Sequence, residues 1–388
     1  MKFYNTAASR MRGVYLSYVP ASSEGGKRKL EARIEEHVML PALEANDVTV
    51  QIKACGLSRI DTKTVLQVVP NVDQIPVGNE ISGVITKVGD AVKMFSVGDE
   101  VTGILPLDSE CPGCAEYCVL PEHFLVSKPV SLSHADCAAG LGSGLRAYTA
   151  FHTQVPVVPG NIVLITGAAS ADGVVMIQWC EYLGAKVIAA VNSPKEAEIL
   201  QKLQPSLLRV IDLSGSQSIV DICLQETGGL GVHCVIDNGA SASFYLSDFL
   251  IDSATLKQQL EQEPLRYTYE TDPSPPLSPT SHQIGSLLAA RGHWVSSQPD
   301  LQLDPPLSQT LYLKGASLHF MFPAVWTLSG AQLGSYLGVL EQVLKHMEDG
   351  VIKPYIYKSV GLGEVCQELV KLGSYGTGKI VMKIETRS

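Results

Sequence analysis

The sequence predicts an α/β protein in two parts, a doubly wound parallel sheet and a curled, partly open antiparallel β-barrel. Three observations carry that prediction. The chain has 388 residues and is 45% hydrophobic, which is more apolar surface than one core normally takes in. Its first part holds short β-branched runs broken by glycines, a pattern that suits a barrel. After Pro159-Gly160, apolar runs alternate with helical stretches, and strands alternating with helices build a parallel sheet with helices on its faces.

The elements follow in order. Val14 to Val19 reads as the first strand, Val48 to Cys55 as an alternating one, and Pro76 to Gly89 as glycine-broken strand. Ile162 to Ile165, a small-residue turn, a helix over Val174 to Leu183 and a second apolar run over Val187 to Val191 make one strand-helix-strand unit. Further strands are expected at Arg209–Ile211, His233–Ile236 and His293–Val295, the last after a helix over Gln283 to Ala290. Residues 241–283 have no counterpart in a minimal fold of this kind. Their Pro/Ser-rich stretch Thr271 to Thr280 reads as an extended or disordered surface insertion. A helix over Gly334 to Met347 and a strand over Lys379 to Ile384 close the chain.

Charge and cysteines narrow the function classes. The formal net charge of −10 comes without a basic stripe, which argues against nucleic-acid partners and binding to anionic membrane surfaces. No apolar run is long enough to cross a bilayer. Lys2, Arg10 and Arg12 precede the first acid, Glu24, as in an organelle-targeting leader, but the strand reading of Val14 to Val19 outweighs this. Nine cysteines at irregular spacing point to reduced thiols and a cytosolic location.

The turn Val163 to Gly173 sits where a dinucleotide pyrophosphate would be held. Ala168, Ser170, Ala171 and Gly173 let the backbone approach closely, and the helix start supplies free N–H groups and the positive dipole end. Tight packing alone can also require small residues there. After the second strand, an Asp or Glu would bind an adenosine ribose 2′-hydroxyl and repel a 2′-phosphate. This chain has Asn192, Ser193 and Lys195, with Asn192 nineteen residues after Gly173, so NADPH is favoured over NADH.

The motifs Gly78-Asn-Glu-Ile-Ser-Gly83, Val88-Gly89 and Val97-Gly98-Asp99-Glu-Val101 resemble the glycine-and-acid signature of the medium-chain dehydrogenase/reductase superfamily. Cys114-Ala-Glu-Tyr117, Gly144 to Tyr148, Gly228 to Asp237 and Gly378-Lys-Ile-Val381 extend the resemblance along nearly the whole chain, towards its quinone oxidoreductase (zeta-crystallin) branch. The resemblance implies a GroES-like catalytic barrel over 1–145, a Rossmann domain over 146–345 and a return to the barrel over 346–388. It also implies NADPH in the cleft, hydride transfer to a small-molecule quinone or α,β-unsaturated carbonyl, and a homodimer or homotetramer.

The zinc-dependent members of the superfamily carry a cysteine and a histidine where this chain has Ser58 and Asn79. Neither replacement is a usual zinc ligand, so no catalytic metal is expected. Cys111, Cys114 and Cys118 lack a fourth partner at fitting spacing and read as packed thiols. On the resemblance, Ser58 and Asp61 stand where the quinone reductases carry an Asn and an Asp beside the substrate, and Lys63 can add positive potential. Asp61 can equally cap the helix that follows. Arg146 stands where the family usually has a threonine at the nicotinamide. A permanent guanidinium there can clamp an oxyanion, grip cofactor phosphates, or fill the pocket and suppress turnover. Two readings remain open: an NADPH-dependent reductase, and an NADPH-binding pseudoenzyme whose 241–283 insertion recruits a protein partner.

Overall fold

The computed structural model of the chain describes residues 10–19, 29–58, 74–238, 278–298, 301–328, 330–372 and 377–384. The barrel begins with β1 (Arg10–Val19), β2 (Lys29–Met39), β3 (Asp47–Leu57), β4 (Gln74–Pro76), β5 (Glu80–Val88), β6 (Glu100–Ile104), β7 (Tyr117–Pro121) and β8 (Leu125–Ser127). Strands β2, β1 and β4 form a small sheet, and β3, β5, β6 and β8 run side by side in a larger one, with β7 also on β3. β3 is the spine of this part. Val48, Val50, Ile52, Ala54, Cys55 and Leu57 are all buried, and the β3–β5 register shifts twice, between Thr49 and Val50 and between Ile52 and Ala54. Such bulges bend a strand and raise its twist, which is how the sheet curls.

Helix α1 (His134–Tyr148), capped by the Ser133 side chain on the Asp136 N–H, leads out of the barrel. The parallel sheet then runs through β9 (Ile162–Ile165), α2 (Ala171–Tyr182), β10 (Lys186–Val191), α3 (Pro194–Leu203), β11 (Arg209–Asp212), α4 (Ile219–Glu226), β12 (Val232–Asp237), α5 (Ser281–Leu287), β13 (Leu288–Ser296), α6 (Pro305–Lys314) and β14 (Ser317–Phe320). Its strand order is β11-β10-β9-β12-β13-β14, so the order reverses at β9 and β12. Alternate residues of β9 serve two cores: Val163 and Ile165 face the core shared with α1 and α2, whereas Leu164 packs with Ile219, Ile284 and Leu307 of α4, α5 and α6.

Two sequence expectations change here. The helix expected over Gln283 to Ala290 is Ser281–Leu287, and the strand expected at His293 begins at Leu288. A capping box between Thr280 and Gln283 fixes the helix start. The helix stops because Leu288 takes up pairing with Val232 of β12, with a bulge before His293 meets Cys234. The expected insertion over 241–283 lies almost wholly outside the described residues, and its last three positions form the first turn of α5.

The chain continues through α7 (Val325–Leu328), α8 (Leu333–Glu348), β15 (Ile356–Val360), α9 (Val365–Lys371) and β16 (Lys379–Lys383). α8 buries Tyr336, Val339, Leu340, Val343, Leu344 and Met347, the spacing of one helical face. β16 pairs antiparallel with β3, which returns the tail to the barrel sheet. Glycines permit the closest approaches: a Cβ on Gly144 would lie 2.3 Å from Val343 of α8, and one on Gly56 would lie 2.2 Å from the Ala138 carbonyl oxygen of α1. Gly56→Ala should therefore lower stability by about 1–3 kcal/mol, as overpacking does. Urea unfolding checks this, and an unchanged midpoint would show that β3 and α1 can part without cost.

Candidate functional site

The order reversal between β9 and β12 opens a crevice at the carboxyl ends of the strands, where ligands of such sheets bind. The turn from Gly167 to Gly173 forms one wall. Gly167 takes a left-handed φ of 57°, which a residue with a Cβ adopts at a cost. Ser170 is the N-cap of α2, its side chain accepting from the Gly173 N–H. Gly173 must stay bare, because a Cβ there would meet the Ala168 carbonyl oxygen at 2.5 Å.

The helix start supplies fewer free N–H groups than the sequence suggests. Ala168 N–H bonds to the Ala190 carbonyl and Ser170 N–H to the Gly167 carbonyl, and Gly173 N–H is taken by the cap. The tightness of the turn consumes these donors internally. Among the described residues, the amides of Ala169 and Asp172 have no acceptor outside α2, and Asp172 stands at the positive end of α2, whereas the Ala171 amide faces the Gly378 carbonyl across the Ser170–Gly378 bridge. Asn238, just past β12, donates both its N–H and its Nδ2 to Thr166, while its Oδ1 is buried without a donor. Two free donors and one orphaned acceptor beside a turn that tolerates no side chain fit a dinucleotide.

Arg146 projects from α1 across this crevice. Its Nε lies 3.1 Å from Asp172 Oδ2 and its Nη1 donates to Ser297 Oγ beyond β13 at 3.3 Å. Ser143, one turn earlier on α1, donates to Asp172 Oδ1 at 2.6 Å. Asp172 is thus turned towards α1. Burial pushes its carboxyl up, but the charges of Arg146 and then Lys379, with the Ser143 hydrogen bond, outweigh burial and hold it below its ordinary value.

Past the end of β10, Ser193 caps α3 through the Glu196 N–H. The absence of an acid near this end, read from the sequence, is overturned. The Glu196 carboxylate accepts the Asn192 N–H at 2.9 Å, because a first-turn residue of α3 looks back over the helix start. Burial pushes Glu196 above its usual value, the Asn192 hydrogen bond opposes that rise, and the Asp212 charge adds to it. Asn192 and Lys195 are exposed.

On the barrel side, Ser58 follows β3 and joins two residues that sequence reasoning missed. Ser58 Oγ donates to Glu80 Oε1 at 2.7 Å, and Lys379 Nζ donates to Ser58 Oγ and to Glu80 Oε1, each at 2.6 Å. Glu80 Oε2 takes the Gly142 N–H of α1. Glu80 and Lys379 are each about 5% exposed. The signal for this pair lay in two of the quoted motifs, Gly78-Asn-Glu and Gly378-Lys, but nothing in the sequence joined them. Asp61 and Lys63 lie outside the described residues.

The cysteines are packed. Cys114 Sγ lies 3.7 Å from Cys55 Sγ, and burial pushes the thiols of Cys111, Cys114 and Cys118 up, so they stay protonated at neutral pH. Among the described residues no three His, Cys, Asp or Glu side chains are grouped to hold a metal ion.

Arg146→Ala should leave the partly buried Asp172 carboxylate without its ion-pair partner, with only Ser143 and the field of Lys379 to hold it, lowering stability by about 1–3 kcal/mol near neutral pH. A carboxyl held low in the folded state stabilises above its unfolded pKa, and that contribution is lost as pH falls through the folded value. The gap between wild type and variant should therefore shrink on acidification through the carboxylate range. Urea midpoints against pH read this, and a gap that does not depend on pH would contradict the pairing.

Residues 44–159 match the family model described as Alcohol dehydrogenase GroES-like domain. The chain is 39% identical over 364 residues to quinone oxidoreductase-like protein 1 of Mus musculus, covering 93% of this chain and 97% of that one. Among solved structures, the human synaptic vesicle membrane protein VAT-1 homolog-like protein superposes with a TM-score of 0.71 at 20% identity, over 98% of this chain and 99% of that one. The quinone oxidoreductase of Escherichia coli, solved in complex with NADPH, gives 0.70 at 19%, over 96% and 100%. These last two are likenesses of fold, a Rossmann sheet joined to a GroES-like barrel, and the closer match in sequence settles the family. The chain belongs to the medium-chain dehydrogenase/reductase superfamily, in its quinone oxidoreductase-like branch.

Proposed function

We propose that the chain is a zinc-independent, NADPH-dependent reductase that delivers hydride to a quinone or an α,β-unsaturated carbonyl. The observation that carries this reading is the crevice wall from Gly167 to Gly173, whose free amides at Ala169 and Asp172 lie close to the Ser58 cluster: Gly378, the residue before Lys379, donates its N–H to the Ala169 carbonyl at 3.0 Å. The E. coli relative, whose structure holds NADPH, supports the choice of cofactor.

Bound in this crevice, NADPH supplies the hydride, and the chain's own residues do the rest. Asp172 offers its N–H to the pyrophosphate at the helix start, Gly173 lets it approach, and Ser193 with Lys195 faces the adenosine phosphate. Arg146 leaves Asp172 for a more strongly charged phosphate partner, or meets the substrate oxygen. Ser58 presents a hydroxyl to the oxyanion that grows as hydride arrives. Asp61 is proposed to stand beside it. Ser58 at the position of a zinc ligand, already committed to Glu80 and Lys379, suits stabilisation by hydrogen bonds rather than by a metal.

One observation favours a second reading, an NADPH-binding protein without turnover: the Arg146 side chain, bonded to both Asp172 and Ser297, spans the crevice where the reacting groups would meet. In either case we propose a cytosolic homo-oligomer. All nine cysteines are free thiols, as suits a reducing compartment. β14 is an open sheet edge with Phe320, Phe322, Val325 and Leu328 exposed beside it, a surface that a second copy can cover. No described helix is long and apolar enough to cross a membrane.

Thermal unfolding with NADPH and with NADH should show the larger upward shift for NADPH, and the same sample should oxidise NADPH when given a small quinone or cyclic enone. Binding without oxidation selects the second reading, and no shift with either nucleotide removes both. Glu196→Gln should tighten NADPH by about 1 kcal/mol, roughly fivefold in Kd, and leave NADH nearly unchanged. Equal effects on both would show that Glu196 does not face the 2′-phosphate.

A further inference from the structure

We propose that Lys379 supplies the proton of the reduction, acting through Ser58; the inference rests on the reductase reading. The geometry is specific. The tail reaches the crevice at Gly378, which bridges Ser170 in parallel and bonds to the Ala169 carbonyl, so Lys379 starts against the dinucleotide turn. Its stem then crosses β3 at Gly56, where a Cβ would lie 3.0 Å from Lys379 Cε, and its ammonium ends on Ser58 and Glu80. Lys379 and Glu80 are both about 5% exposed, whereas Ser58 is half-buried. The ammonium therefore meets the crevice through the serine hydroxyl.

The chemistry requires such a donor. When hydride arrives on the β-carbon of an enone, its electron pair forms the new C–H bond, the C=C π pair shifts towards the carbonyl, and negative charge collects on oxygen. Of the charged groups described at the crevice, Arg146 releases no proton and Asp172 is held as an anion. Lys379 is the described group that combines an acidic N–H with a hydroxyl relay.

The step balances. Ser58 turns its O–H from Glu80 to the substrate oxygen and transfers its proton. As that O–H bond breaks, a proton from Lys379 Nζ restores the serine hydroxyl. The substrate leaves as the enol and tautomerises in solvent, and Lys379, now an amine, is recharged by water. Glu80 drives the recharging, because a buried carboxylate without its cation is strongly disfavoured.

The test compares Lys379→Met, Ser58→Ala and the double variant with wild type, reading NADPH Kd by fluorescence and kcat and KM with 2-cyclohexenone. Methionine at 379 strands the Glu80 charge, so Lys379→Met/Glu80→Gln is measured as well, as a version that buries no lone ion. The expected result is NADPH Kd and enone KM within roughly threefold of wild type, with kcat lower by about 10²–10⁴, the range for a lost general acid. The double variant should be no slower than either single one, as residues acting in one relay behave.

Unchanged kcat in the Lys379 variants overturns the proposal. A loss of NADPH affinity that parallels the loss of rate also overturns it, because it makes Lys379 a phosphate contact. Additive losses in the double variant assign the two residues separate roles and overturn the relay. A wild-type protein that turns over no enone or quinone fails the reductase reading itself, an outcome distinct from an active wild type with an equally active Lys379→Met.

Discussion

The constraint on which the site depends is the double anchorage of the tail at Gly378 and Lys379. One residue bonds to the dinucleotide turn through Ala169, and the next forms a buried ion pair with Glu80 of the barrel. Glu80 in turn takes the Gly142 N–H, and a Cβ on Gly142 would lie 2.5 Å from that carboxyl. Tail, barrel and α1 thus converge on one carboxylate. Removing either charge would leave the other buried and unpaired, which is far more costly than the net gain from the intact pair.

The charges at the crevice come in such pairs. Lys379 answers Glu80, Arg146 answers Asp172, and Ser58 and Ser143 each hydrogen-bond to one of the two carboxylates. A chain with a formal charge of −10 therefore presents no bare acid to a dinucleotide at the turn. A phosphate, with more charge than a carboxylate, can compete for Arg146 without leaving Asp172 isolated, since Ser143 and the field of Lys379 remain.

Much of this was legible in the sequence, for physical reasons. Val163 to Ile165 and Val187 to Val191 are buried on both faces, so they read as unbroken apolar runs, and Gly173 stands where no Cβ fits. The Ser58 cluster was not legible as a unit, because Lys379 lies 321 residues from Ser58 and 299 from Glu80. Periodicity reports local faces only, and contacts at such separation come from the fold. Glu196 escaped for a different reason: it reads as an ordinary first-turn acid until α3 is placed at the end of β10. The start of β13 escaped because Leu288 to Ala290 favours helix locally, and pairing with β12 overrides that preference.

A dinucleotide held by the backbone of the turn before α2 requires that turn to stay free of side chains. Tryptophan fluorescence titration with NADPH, comparing wild type with Gly173→Val, tests it most directly. Saturable quenching is expected in the wild type and its loss in a variant that remains folded by circular dichroism, since the new side chain must push into the Ala168 carbonyl. Equal affinity in the two proteins would place the nucleotide elsewhere than at this turn.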